Sequence, residues 1–158
     1  MVALPYPNPS DPMVSKRMRS NRRRDTRPER ALRTLLHARG LRYRVDFPLR
    51  LDALTARPDI AFTRWQVAVF VDGCFWHRCP DHGNVPRRNL EYWRPKLQRN
   101  VDRDQRVDAE LRGAGWRVIR AWEHEPSLAV VDRIVTELSA AKGDLSDAEP
   151  AEPEGRAG

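Results

Sequence analysis

A chain of 158 residues, with 29 Lys+Arg against 22 Asp+Glu and a formal net charge of +7, suits one domain with its own core. It has no apolar run long enough to span a membrane and no apolar segment of signal-peptide type in its proline-rich start, so a cytoplasmic protein is expected. The acidic residues after Gly143 mask a more basic body: without that tail, 28 basic residues face 17 acidic ones, or +11. Of the basic residues 26 are Arg, which grips phosphate with two donors at once, so a polyanion is the expected partner.

Residues 1–14 read as a disordered lead. Residues 15–24 carry six basic side chains, Lys16, Arg17, Arg19, Arg22, Arg23 and Arg24, in a run that adjoins the folded part and suits a nucleic-acid-contacting arm. A helix is expected to start near Thr26, where a hydroxyl at the cap, Pro28 in the first turn and Glu29 three residues on form a capping box. Leu32, Leu35 and Leu36 make its apolar stripe, and Gly40 ends it. Tyr43, Val45 and Phe47 alternate with polar residues as in a strand, and 48–58 reads as loop. Two β-rich runs follow, 59–63 and 66–71, with Trp65 near a turn that would make them a hairpin.

Residues 72–90 gather Cys, His, Gly and Pro and cannot be regular structure. A long helix is expected over 91–112, a strand over 116–122, and an amphipathic helix over 127–141 capped by Ser127. The acidic tail, 143–158, reads as disordered. The order α-β-β-β-α-β-α implies an α/β fold, with a central mixed sheet flanked by helices, spanning 15–142 with a basic arm at 15–25.

Chemistry concentrates in the central loop. Cys74, Cys79 and His82 lie within nine residues, and in a cytoplasmic chain two such close cysteines suggest metal rather than a disulfide. Two thiolates and an imidazole suit zinc, which wants a fourth ligand: His77, His124 or a carboxylate such as Asp81. His124 is preferred, because it follows a strand whose end could return to the loop and because it frees His77. Phe75 and Trp76, between two of these ligands, either bury under the loop or point outward to stack on bases or wedge a base step. Tyr92 and Trp93 leave the same choice open. Asp59, after Pro58 at a strand start, is a carboxylate of the kind that binds Mg²⁺ for phosphodiester hydrolysis, and Asp72 lies at the opposite end of the adjacent strand or beside it across a hairpin. Restriction-type nucleases often place a Lys two positions after the second carboxylate; here Cys74 stands there, so another base is needed and His77 is nearest. On the long helix, Asn100 and Asp104 fall at i and i+4 beside the apolar side formed by Trp93, Leu97, Val101, Val107 and Leu111, which suits a salt bridge or a reach into an active site.

Together these pieces resemble the very-short-patch-repair (Vsr) endonucleases, from about Ser15 to Glu125. The most specific string is Asp72-Gly73-Cys74-Phe75-Trp76-His77. Arg57-Pro58-Asp59, Tyr92-Trp93, Asn100-Val101-Asp102-Arg103-Asp104, Gly115-Trp116-Arg117-Val118 and Trp122-Glu123 support it in the same order. The resemblance implies a fold similar to the PD-(D/E)xK restriction-endonuclease-like one with a structural zinc loop. It implies Mg²⁺-dependent nicking of the T-containing strand, 5′ of the T, at T:G mismatches that arise by deamination of 5-methylcytosine. It implies Asp59 and the Val71 backbone carbonyl as Mg²⁺ ligands, His77 as general base assisted by Asp104, and Glu29 near the same site. Phe75, Trp76 and Trp93 would be the wedge, Asn100 would reach the site, and the basic arm would clasp double-stranded DNA from the other side. The chain departs from the family pattern at Asp72, where a His can stand, and at His124, which replaces a Cys as fourth zinc ligand. A bacterial, nucleoid-associated monomer is expected, with mismatch-repair proteins and a repair polymerase as further partners. Two other readings are a restriction-type or lesion-directed endonuclease and a non-catalytic zinc-stabilised DNA-binding module.

Overall fold

The structure is a computed structural model and describes residues 25–83 and 89–147. The basic positions Lys16, Arg17, Arg19, Arg22, Arg23 and Arg24, and the chain ends beyond, lie outside the described residues. Helix α1 spans Arg27–Ala38 and begins as the capping box predicts: Thr26 is the cap, and its side chain accepts from the Glu29 N–H. Glu29 is turned back at the same time, accepting from the Asp25 N–H at 2.9 Å and the Thr26 hydroxyl at 2.8 Å. After α1, Gly40 takes φ +71°, a left-handed turn open to glycine without strain.

Four strands form one sheet in the order β1 (Arg44–Val45), β4 (Ile60–Phe62), β5 (Val67–Asp72), β6 (Arg117–Trp122). The β1–β4 and β4–β5 pairs are antiparallel, and β5–β6 is parallel. The expected 59–63/66–71 hairpin is present, its turn closed by the Trp65 N–H on the Phe62 carbonyl. The long helix α2 spans Leu90–Gly113 and supplies the crossover that a parallel β5–β6 pair demands. Gly115, at φ +82°, turns the chain from α2 into β6.

Three local expectations are corrected. The strand expected over 43–47 is only Arg44–Val45, because Asp46 adopts φ +50° and breaks the extended run. The segment 48–58 is not plain loop: β2 (Leu49–Arg50) and β3 (Thr55–Ala56) pair antiparallel, burying Leu49 and Ala56. The last helix, α3, runs Ser127–Asp147, past Gly143. It starts at Ser127 itself, where the Val130 N–H already donates to the Pro126 carbonyl, so Ser127 is its first residue rather than a cap before it.

The sheet therefore has two covered faces. Strand alternation sends Val67, Val69, Ile119 and Ala121 to one face, where they pack with Leu32 and Leu36 of α1 and Val130, Val131, Ile134 and Leu138 of α3. Ala68 on the other face packs with Leu111 of α2 and with Leu49 and Ala56 of the small hairpin, supported by Phe70, Val107 and Val118. Fully burying each such aliphatic side chain contributes about 1.5–3 kcal/mol. The fold is thus α/β, with a central mixed sheet between helical layers.

Candidate active site and metal cluster

Both groups of chemical side chains lie at one end of the sheet, where β5 and β6 finish side by side and β4 begins. Asp59 directly precedes β4, and the β4–β5 register sets it against the end of β5. Its Oδ2 accepts from the Val71 N–H at 2.7 Å, so of the two placements open from the sequence the hairpin holds: Asp59 and Asp72 share one end. Burial favours the neutral acid and the Val71 hydrogen bond opposes it. With Glu29, Asp72 and Asp46 adding negative charge, the Asp59 carboxyl is pushed up to about 6. Glu29 is buried at 6% exposure, its oxygens committed to the cap, yet close enough to be the first charged neighbour that Asp59 feels.

His77 lies on the loop after β5, and its Nδ1 is bonded to Asp104 Oδ2 of α2. Burial opposes ionisation of Asp104, but His77, Arg120 and Arg103 outweigh it and hold the carboxyl below its ordinary value. An ionised Asp104 can only accept, so His77 Nδ1 carries a proton, and Nε2 is the ring nitrogen left out of that bond. Asp72 Oδ1 lies 3.6 Å from the same Nδ1. Its two oxygens are held by Arg120 Nη1 at 2.8 Å each, which makes the buried Asp72 one half of an ion pair.

The cluster Cys74, Cys79, His82 and His124 has all its ligand atoms within 4.8 Å of one another. Cys74 Sγ is 3.0 Å from His124 Nδ1, and Cys79 Sγ is 3.8 Å from His124 Nδ1 and 4.0 Å from His82 Nδ1. His124 follows β6, whose end does return to the loop, while His77 is engaged elsewhere. Asp81 stands 3.9 Å from His124 Nε2, against the ring nitrogen that faces away from the sulfurs. Burial, Cys79 and Glu123 push the Cys74 thiol up to about 11, so a thiolate there needs a cation beside it. Two sulfurs and two imidazoles converging on one point suit a soft divalent ion. The loop is tight as well: a Cβ on Gly83 would stand 2.4 Å from the Cys79 carbonyl oxygen, so only glycine fits.

Phe75, Trp76 and Trp93 form one cluster of edge-on and tilted rings. Phe75 and Trp76 meet at 5.0 Å between ring centroids, Phe75 and Trp93 at 5.4 Å, Trp76 and Trp93 at 6.1 Å. Trp93 is buried at 6% exposure and is the floor of the cluster, whereas Phe75 and Trp76 are half-buried at its rim. Asn100 donates to the Trp76 carbonyl at 3.2 Å, fixing the loop to α2.

Sequence reasoning missed Arg120 and Asp108, and it quoted Glu123 in a motif without giving it a role. Arg120 joins β6 to Asp72 and, through Nε at 2.9 Å, to Asp108 on α2. Glu123 accepts from the Cys74 N–H at 2.8 Å and its own N–H donates to the Asp72 carbonyl at 2.9 Å, stitching β6 to the loop. A signal existed for Arg120: strand alternation puts it on the face of Val118 and Trp122, where a charge so close to a core requires a partner.

Comparison with known proteins gives this geometry its class. The family described as DNA mismatch endonuclease Vsr matches residues 11–81. The type II nicking enzyme V.NaeI of Lentzea aerocolonigenes is 54% identical over 134 residues, 84% of this chain and 81% of the relative. The type II nicking enzyme V.XorIIP of Xanthomonas oryzae pv. oryzae is 43% identical over 114 residues, 70% of this chain and 79% of the relative. The DNA mismatch endonuclease Vsr of Escherichia coli is 40% identical over 111 residues, 69% of this chain and 68% of the relative. A basic α/β protein with a carboxylate–histidine site and such relatives is a DNA endonuclease. The chain belongs to the Vsr family. No helix among the described residues is long and apolar enough to cross a membrane.

Proposed function

We propose that this endonuclease nicks the T-containing strand of duplex DNA, 5′ of the T, at T:G mismatches left by deamination of 5-methylcytosine. The observation that carries the reading is the meeting, at one sheet end, of the half-buried Asp59, the His77–Asp104 pair and the aromatic rim of Phe75 and Trp76. The family description and the name of the Escherichia coli relative support the mismatch as substrate.

Asp59 and the Val71 carbonyl are the proposed Mg²⁺ ligands, in a setting similar to the PD-(D/E)xK nucleases. The crowding of Glu29, Asp72 and Asp46 around Asp59 fits them, since a divalent cation relieves that repulsion. Mg²⁺, when bound, polarises the scissile phosphate and stabilises the charge that builds on it. His77 Nε2 takes a proton from the attacking water, its Nδ1–H held on Asp104 throughout. The new P–O bond forms as the bond to the leaving sugar oxygen breaks, and that oxygen takes its proton from solvent. Cys74, Cys79, His82 and His124 would hold a structural Zn²⁺ that keeps the loop carrying His77 in shape.

Selectivity comes from the rim. Wedging Phe75 and Trp76 into a base step costs a few kcal/mol, less where the pair is already weak, as at a T:G wobble. Trp93 backs the wedge from below. Lys16, Arg17, Arg19, Arg22, Arg23 and Arg24 supply phosphate contacts, and a monomer suffices. Repair then needs a polymerase to replace the nicked strand, with mismatch-repair proteins as further partners in a bacterial nucleoid. Relatives named type II nicking enzymes support a single-strand nick as the product.

Labelled T:G and T:A duplexes in several contexts, with Mg²⁺ or EDTA, test the reading. A nick confined to the T strand of the mismatched duplex, lost with Asp59→Ala while DNA binding persists, is expected. Equal cutting of T:A would replace it with a restriction-type activity, and tight binding without cutting would replace it with a DNA-binding module.

A further inference from the structure

His77 Nδ1 has one proton and two carboxylates within reach: Asp104, to which it is bonded, and Asp72 Oδ1 at 3.6 Å. Both aspartates are close to buried, and either could hold an imidazole N–H. The two choices aim Nε2 in different directions, because Asp104 comes from α2 and Asp72 from the end of β5. A base that alternates between partners spends only part of its time aimed at its water, and a misplacement of about 1 Å can cost about 10²-fold in rate.

Arg120 settles the contest. Its Nη1 takes both oxygens of Asp72 at 2.8 Å, while Nη2 approaches Asp104 from behind, 3.4 Å from its carbonyl oxygen and 3.8 Å from Oδ1. Its Nε is pinned to Asp108 at 2.9 Å, and the guanidinium lies over the Phe70 ring at 4.6 Å. Each donor of the planar fork has a different task, which a lysine ammonium cannot reproduce. Resting on the assignment of His77 as the base, we propose that Arg120 is a positioning residue that withdraws Asp72 from His77 and so commits the imidazole to Asp104. Asp72 is then neither a metal ligand nor a proton acceptor but a competitor held in check, a different role from the catalytic one its sequence position suggests.

The charged groups facing the imidazole are Asp72 from β5, Asp104 with Arg103 from α2, and Arg120 from β6. The test is a rescue. Arg120→Gln frees Asp72, and single-turnover nicking of a T:G duplex at saturating enzyme falls about 10²-fold with DNA affinity kept. Arg120→Lys falls similarly. Adding Asp72→Asn to Arg120→Gln removes the competitor and returns the rate to within about tenfold of wild type. A catalytic or metal-binding Asp72 would make that double variant worse than either single one, which overturns the proposal. Spectra of protein with ¹⁵N-labelled histidine give a second readout independent of cutting. The His77 Nδ1–H signal should respond to Asp104→Asn in wild type, lose that response in Arg120→Gln, and regain it in the double variant. A merely structural Arg120 leaves the signal of the folded Arg120→Gln protein at its wild-type position, and that result also overturns the proposal. Should wild type fail to nick T:G at all, the functional reading falls while the spectra still decide the role of Arg120.

Discussion

The two faces of the central sheet are built to different ends. The face toward α1 and α3 has an apolar core, from Leu32 and Leu36 to Ile134 and Leu138, with ion pairs such as Arg117–Glu137 kept to its edge. The face toward α2 begins the same way with Ala68 and Leu111, then turns ionic toward the strand ends, where Asp72, Arg120, Asp104 and Asp108 meet. One sheet thus separates the source of stability from the source of chemistry, and each can be damaged with little harm to the other.

The sharpest break is His77→Ala: with His77 as the proposed general base, single-turnover nicking should fall by about 10²–10⁴-fold with the thermal midpoint little changed. Leu36→Ala should do the reverse. This fully buried side chain is worth about 2–5 kcal/mol in unfolding free energy, while the rate per folded molecule at low temperature stays at the wild-type value. Denaturant titration beside active-site titration checks both halves.

A smaller effect follows from acid. As the proposed Mg²⁺ ligand, Asp59 would have to lose its proton, and its carboxyl is pushed up to about 6. Below that pH the Mg²⁺ concentration for half-maximal nicking should rise about tenfold per unit, and above it the requirement should level off. In metal-free protein the sign for folding is also set. The folded state holds this proton more tightly than the unfolded chain, so Asp59 contributes stability at low pH that is lost as pH rises through about 6. Asp59→Asn should therefore raise the melting temperature in EDTA at pH 7.5 but not at pH 4. The smallest change belongs to Arg117→Ala, which breaks exposed pairs with Glu137 and Asp144. It should leave the melting temperature almost unchanged and nicking untouched.

The apolar face was the easier one to read in the sequence. Thr26 with Glu29, the leucines of α1, and the alternation of β5 and β6 are local signals, and each element lies within a residue or two of its expected place. The β2–β3 hairpin escaped because strands of two residues leave almost no alternation to detect, although Phe47, Leu49 and Leu51 keep one face. The ionic face was half legible. Asp59, His77 and Asp104 carry chemistry in their residue types, and the loop spacing of Cys74, Cys79 and His82 speaks for itself. Alternation along β6 marks Arg120 as a charge that needs a partner, but not which one: Asp72 is 48 positions away, and only the parallel β5–β6 register brings the two together. Trp93 was legible as an aromatic beside the loop but not as the buried floor, which depends on how α2 docks.

The end of β6 serves both the histidine pair and the cysteine cluster, through Arg120, Glu123 and His124 in five consecutive residues. These are also among the last parts of the domain to leave the ribosome, long after Asp59 and His77. A nascent or prematurely terminated chain that stops short of β6 therefore carries the reactive groups without the scaffold that aims them.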